Sequence, residues 1–150
     1  VGVGAIIFGD LKNERTNNID FVLEDQLKFE GETGPYVQYS HARAESILRK
    51  AGSLDFHTAD KALDDPSAWE TITALNEFPG IVESACKDFE PSEIAKYSLR
   101  LAKAFNKYYA HSKVLVKDDK LGARLGLVKA VSIVLKEALN LLGVQAPDAM

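Results

Sequence analysis

From Pro91 onward the apolar residues recur every three to four positions. Ile94, Tyr97, Leu101, Phe105 and Tyr108 mark one stripe, and Leu121, Leu125, Val128, Leu135, Leu139 and Leu142 mark a second. That period belongs to amphipathic helices. Leu127, Val131, Val134, Ala138 and Leu141 widen the second stripe, so a helix over about residues 118–142, closed by Gly143, is expected to be buried on most of its girth. Upstream, Thr33-Gly34-Pro35 offers a capping hydroxyl followed by proline in the first turn, where its missing N–H costs nothing. It predicts a helix from Pro35 to Lys50 that stops at Ala51-Gly52. Residues 53–65 are polar and read as a loop. Asp65-Pro66 restarts a helix with Trp69, Ile72 and Leu75 on one face, Pro79-Gly80 breaks it, and Ile81 to Phe89 forms another short one. Five helices with short connections and almost no alternating pattern predict an all-α bundle.

The first 32 residues fit this pattern less well. They are acidic, their glycines keep no period, and only 20–24 and 27–29 suggest a short strand or helical turn ending at Gly31. The chain opens with Val1, and the expectation is excision from a longer protein, with residues 1–32 a connector and 33–150 the helical domain. At 150 residues, 46% hydrophobic and 27% charged, the chain has the size and composition of one globular domain. It contains no run of about 18 apolar residues and no signal-peptide pattern. The lone Cys86 excludes an internal disulfide, suits a reducing cytoplasm and is expected to be a small buried residue. Net charge is −4, yet residues 1–91 carry 8 basic against 17 acidic side chains, and residues 92–150 carry 10 against 5. The basic half is compatible with an anionic partner or with a merely solvated face.

Enzyme chemistry is poorly supplied. Gly2-Val3-Gly4 with Gly9 has the wrong spacing, and no preceding strand, for a dinucleotide fingerprint. His41, His57 and His111 lie too far apart for typical zinc spacing. The Asp64-Asp65 and Asp118-Asp119 pairs are better suited to capping helices than to acid–base work. Two aromatic–basic clusters are more telling. Tyr39 and Arg43 stand four apart on one helix face, as do Tyr36 and Ser40. Asn106, Tyr108, Tyr109, His111 and Lys113 cluster at the end of another helix. Rings stack on unpaired bases, and guanidinium or ammonium groups hold phosphates or base edges. The competing reading makes Tyr36 and Tyr39 core aromatics and pairs Arg43 with a carboxylate.

The run from Phe29 through Gly34-Pro35-Tyr36-Val37-Gln38-Tyr39-Ser40-His41-Ala42-Arg43 resembles the entry to the C-terminal, DALR-type anticodon-binding domain of bacterial-like arginyl-tRNA synthetases. Residues 1–13 resemble the stretch after that family's lysine-bearing catalytic loop. Residues 105–109 with 114–116, and 141–150, resemble two further family blocks, so the similarity runs end to end. The resemblance implies the anticodon-binding helical bundle of class I synthetases, preceded by a short segment from the end of the catalytic domain. It implies that Tyr39 and Arg43 face the anticodon loop, that Asn106, Tyr109, Ser112 and Lys113 line it, and that Met150 completes the pocket. The family usually ends Pro-Glu-Arg-Met, whereas Ala149 here replaces the arginine, so a contact from that position is lost or supplied elsewhere.

The family's His-Ile-Gly-His-type and lysine-loop motifs are absent from these residues. The chain by itself is therefore expected to be non-catalytic and to use no cofactor, ATP and Mg being handled by the rest of the parent. That parent would join arginine to its tRNA, needing tRNA even for activation. Expected partners are the anticodon stem-loop of tRNA for arginine and the catalytic domain of the same chain, with no membrane; the chain is expected to be a cytoplasmic monomer. A different class of function is a helical scaffold docking on a protein through the acidic N-terminal third, with Ile6, Ile7, Phe8 and Phe29 exposing apolar surface. A small stand-alone enzyme is the third.

Overall fold

The computed structural model describes residues 1–53 and 62–150. His57 and most of the expected 53–65 loop fall outside the described residues. Six helices, and no strands, are found among those described: α1 Gly2–Leu11, α2 Leu23–Gln26, α3 Gly34–Ala51, α4 Pro66–Asp88, α5 Ser92–His111 and α6 Leu121–Leu141. The all-α expectation holds, while the count of five and several boundaries do not.

The Thr33 hydroxyl accepts from the Tyr36 N–H at 3.2 Å and donates to the Lys28 carbonyl at 2.6 Å, which fixes where α3 begins. Asp65 does the same for α4, its carboxylate accepting from the Ser67 N–H at 2.8 Å. The apolar faces of α3, α4, α5 and α6 meet in a core that includes Tyr97, Leu101, Phe105, Leu125, Val128 and Leu135. In α6 burial extends round to Leu127 and Val131, as its two apolar stripes require, but Leu141 is exposed.

Helix α1 replaces the irregular segment expected before Gly31. Its Phe8 is fully buried against the bundle, contrary to the expectation of exposure; Ile7 is half-buried, and Ile6 and Phe29 are exposed. The close approach of α1 to α3 explains two glycines. A Cβ on Gly34 would lie 2.8 Å from the Gly4 carbonyl oxygen, and one on Gly4 would lie 2.9 Å from Gln38 Nε2.

Pro79 does not break α4, which runs through it for 23 residues. An internal proline costs about 3 kcal/mol by losing one hydrogen bond and crowding the preceding turn. The apolar residues on both sides, Ile72, Leu75, Phe78 and Ile81, pack against the same core, so one continuous helix buries more than two short ones would. Trp69, expected on that face, is exposed, and so is Cys86, expected to be buried.

A candidate nucleic-acid-binding cleft

The capped start of α3 sets its register, and a 4–3–4 walk along one face places Tyr39, Arg43, Ser46 and Lys50 in a row. Opposite them stands the end of α5, where Tyr108 and Tyr109 point different ways. Tyr108 is buried in the core, and Tyr109 is 44% exposed beside α3. The Arg43 guanidinium carbon lies 4.9 Å from the Tyr39 ring centroid and 5.1 Å from that of Tyr109. The cation is thus held between two rings, both within cation–π range. Phe29 meets the Tyr39 ring edge-on at 6.2 Å, extending the column by one more ring.

Asn106 locks this arrangement. Its Oδ1 accepts from Arg43 Nη1 at 2.5 Å, and its Nδ2 donates to the Tyr36 hydroxyl at 3.0 Å and to Ser40 Oγ at 2.8 Å. Ser40 in turn donates to the Tyr36 carbonyl at 2.8 Å. Every polar atom of the Asn106 amide is used within the protein, which makes it a residue that aims Arg43. No carboxylate pairs with Arg43 among the described residues, so its charge is left for something outside. Tyr39 is 39% exposed, and the reading of it as a core aromatic does not hold.

The row borders a cleft of about 230 Å³ lined by Tyr39, Arg43, Arg49, Lys50, Tyr109 and Met150, among others. A wider neighbour of about 540 Å³ shares Ile47, Lys50 and Tyr109 with it and adds Ser112 and Lys113. The residues predicted from sequence are therefore brought together, though with unequal freedom. Tyr39, Tyr109, Lys113 and Met150 are exposed, and Arg43 is half-buried between rings. The Ser112 hydroxyl is engaged, donating to Asp65 Oδ2 at 2.5 Å. That bond, followed by those from Ser67, holds the Asp65 carboxyl down at about 2. Ser112 so links the end of α5 to the start of α4. His111 leans back on its own helix, its Nδ1 2.8 Å from the Lys107 carbonyl oxygen.

The structure also redistributes the charge asymmetry of the sequence. Four cations of α5 are paired with acidic residues of the other half: Lys96 with Glu14 at 3.7 Å, Arg100 with Glu77, Lys103 with Glu32 at 2.9 Å and Lys107 with Glu70 at 2.6 Å. Positive charge without a carboxylate partner among the described residues remains at the clefts, on Arg43, Arg49, Lys50 and Lys113. Arg49 and Lys50 were not singled out as site residues by the sequence reading. The signal was present, since Lys50 continues the Tyr39–Arg43–Ser46 spacing. Among the described residues no three His, Cys, Asp or Glu side chains converge as a metal site, and no helix is long and apolar enough to cross a membrane.

The chain and its all-helical fold have close counterparts among known proteins. The family model for the DALR anticodon binding domain matches residues 37–150. The chain belongs to the DALR anticodon-binding domain family. Over all 150 residues it is 73% identical to the arginine–tRNA ligase of Levilactobacillus brevis and 65% identical to that of Lactiplantibacillus plantarum. It spans 27% of the length of each of those relatives. Among solved structures, 99% of the chain superposes on arginyl-tRNA synthetase from Thermus thermophilus with a TM-score of 0.91 at 38% identity, covering 26% of that chain.

Proposed function

We propose that the chain is the anticodon-recognition module of an arginine–tRNA ligase, which docks the anticodon stem-loop of tRNA for arginine in the cleft between α3 and α5. The observation that carries this reading is the Tyr39–Arg43–Tyr109 column: two exposed rings flank a cation with no carboxylate partner among the described residues, held in place by Asn106. Rings in such a column accept splayed bases, and the guanidinium supplies edge hydrogen bonds or phosphate contacts. Arg49, Lys50 and Lys113 lie beside it to follow the sugar–phosphate backbone, and Met150 forms an apolar wall. Lys113 and Met150 act directly, Asn106 acts through Arg43, and Ser112 acts by fixing the end of α5.

In the parent enzyme, joining of arginine to tRNA with ATP and Mg belongs to a catalytic domain elsewhere, with which residues 1–32 are continuous. Anticodon docking here would favour the active arrangement there, a coupling between distant sites. The module acts as a monomer in the cytoplasm and uses no cofactor of its own.

Fluorescence titration with anticodon stem-loops altered base by base tests this reading. The expected result is discrimination among loop sequences, with a log–log salt slope of roughly −0.7 per phosphate neutralised on a single strand. Equal affinity for unrelated RNA hairpins would overturn it.

A further inference from the structure

Helix α6 ends in a left-handed glycine, Gly143, with φ of 72°. The Gly143 N–H donates to the Asn140 carbonyl and the Val144 N–H to the Leu139 carbonyl, each at 2.9 Å, a Schellman closure sealed by buried Val144. The six residues beyond form no helix, and none of them is fully buried. Ala146 packs half-buried against the core and Pro147 is half-buried, while the other four are exposed. Backbone carbonyls of the segment are taken up by α3. Gln38 Nε2 donates to the Gln145 carbonyl at 2.8 Å, His41 Nδ1 lies 3.0 Å from that of Pro147, and Arg49 Nη1 donates to that of Asp148 at 2.7 Å. A carbonyl only accepts, so His41 Nδ1 carries a proton.

Positions 38, 41, 45 and 49 form one stripe of α3, adjacent to the stripe bearing Tyr39 and Arg43. Glu45 completes it from behind. It accepts from Ser132 Oγ, whose oxygen lies 3.4 Å from His41 Nε2. Gln38 is 2% exposed and His41 fully buried, so neither can touch a bound nucleic acid. What they hold is the segment ending in Met150, which walls the cleft.

We propose that Gln38, His41 and Arg49 are positioning residues that tether residues 145–150 to α3 and thereby keep Met150 in place to close the cleft. The tether stands on its own geometry; its effect on RNA affinity rests on the function proposed above.

Met150 is the only methionine of the chain, so a chain labelled with ¹³C-methyl methionine gives one signal from this segment. In the RNA-free chain, Arg49→Ala and Gln38→Leu should each move that signal towards the narrow line of a freely mobile methionine, with Arg49→Lys restoring it in part. Arg49 is exposed, so its variants keep the test alive even where Gln38→Leu fails to fold. In Gln38→Leu, which removes no group lining that cleft, stem-loop affinity should fall roughly 3–10-fold, the cost of ordering a side chain no longer held in advance. Adding Met150→Ala to Arg49→Ala should then cost little more. An unmoved methyl signal in both variants would overturn the tether. A Met150→Ala effect as large in the Arg49→Ala background as in the unaltered chain would overturn its link to the cleft. A responsive methyl in a chain that binds no stem-loop would instead overturn the proposed function and leave the tether supported.

Discussion

Two clusters in this domain are built from the same parts and end in opposite roles. On α4 and α5, Arg100 lies 5.6 Å from the centroid of the Tyr97 ring, which stacks on Phe78 at 5.4 Å. On α3 and α5, Arg43 lies against Tyr39 and Tyr109 at similar distances. In the first cluster everything is consumed internally. Tyr97 is 2% exposed, burial pushes its hydroxyl up to about 12, that hydroxyl donates to the Ala74 carbonyl at 2.8 Å, and Glu77 pairs with Arg100. In the second the rings are open and the guanidinium is oriented by an uncharged amide. An asparagine can aim a cation without neutralising it; a glutamate cannot. Aromatic-plus-arginine spacing alone therefore does not separate an open cluster from a satisfied one, and the partner that holds the arginine does.

The sharpest way to break this contrast is to truncate a ring from each side. Tyr97→Ala removes a core side chain and its hydrogen bond and should cost about 3–5 kcal/mol of stability in urea denaturation. Any RNA affinity measured on the remaining folded protein should be unchanged; a selective loss of RNA binding would erase the distinction between the clusters. Tyr39→Ala should do the reverse, costing about 1–3 kcal/mol of stem-loop binding. Its melting temperature should move little, and a large drop there with no change in binding would return Tyr39 to the core.

Asp65 tests how the end of α5 is held. Its folded carboxyl titrates near 2 against 3.8 ordinarily, so the stability it contributes is complete above about pH 4 and disappears as pH falls towards 2. Asp65→Ala should lower stability by about 1 kcal/mol at neutral pH, as the loss of a helix cap does. It should also flatten the acid limb of the stability curve between pH 4 and 2, as read by denaturation at stepped pH. The smallest effect is expected at the satisfied cluster's surface. Glu77→Gln removes an exposed ion-pair partner and should cost below about 1 kcal/mol. Because it frees Arg100, it also asks whether a carboxylate alone kept that side silent. A gain in salt-sensitive RNA binding would sharpen the comparison, and no gain would show that burial of Tyr97 matters more.

Much of the helical framework was legible in the residues because its signals are local. Thr33 and Asp65 cap α3 and α4, Gly52 and Gly143 follow the ends of α3 and α6 at positive φ, and the apolar stripes of α5 and α6 are the faces that meet in the core. The Tyr39–Arg43 pairing was legible for the same reason, four residues being about one helical turn. The decisive features were not. Pro79 reads as a break because its cost is local, whereas the burial that overrides it comes from another helix. Residues 1–11 show no clear period because α1 packs through glycines, whose fit against Gly34 and Gln38 depends on chain more than twenty residues away. That Arg43 meets Asn106 while Arg100 meets Glu77 depends on contacts 63 and 23 residues apart in sequence. The sequence by itself determined where α3, α5 and α6 form and supplied the candidate side chains for RNA contact. Only the tertiary packing decided which of those side chains stay available, because availability depends on what every other helix brings to meet them.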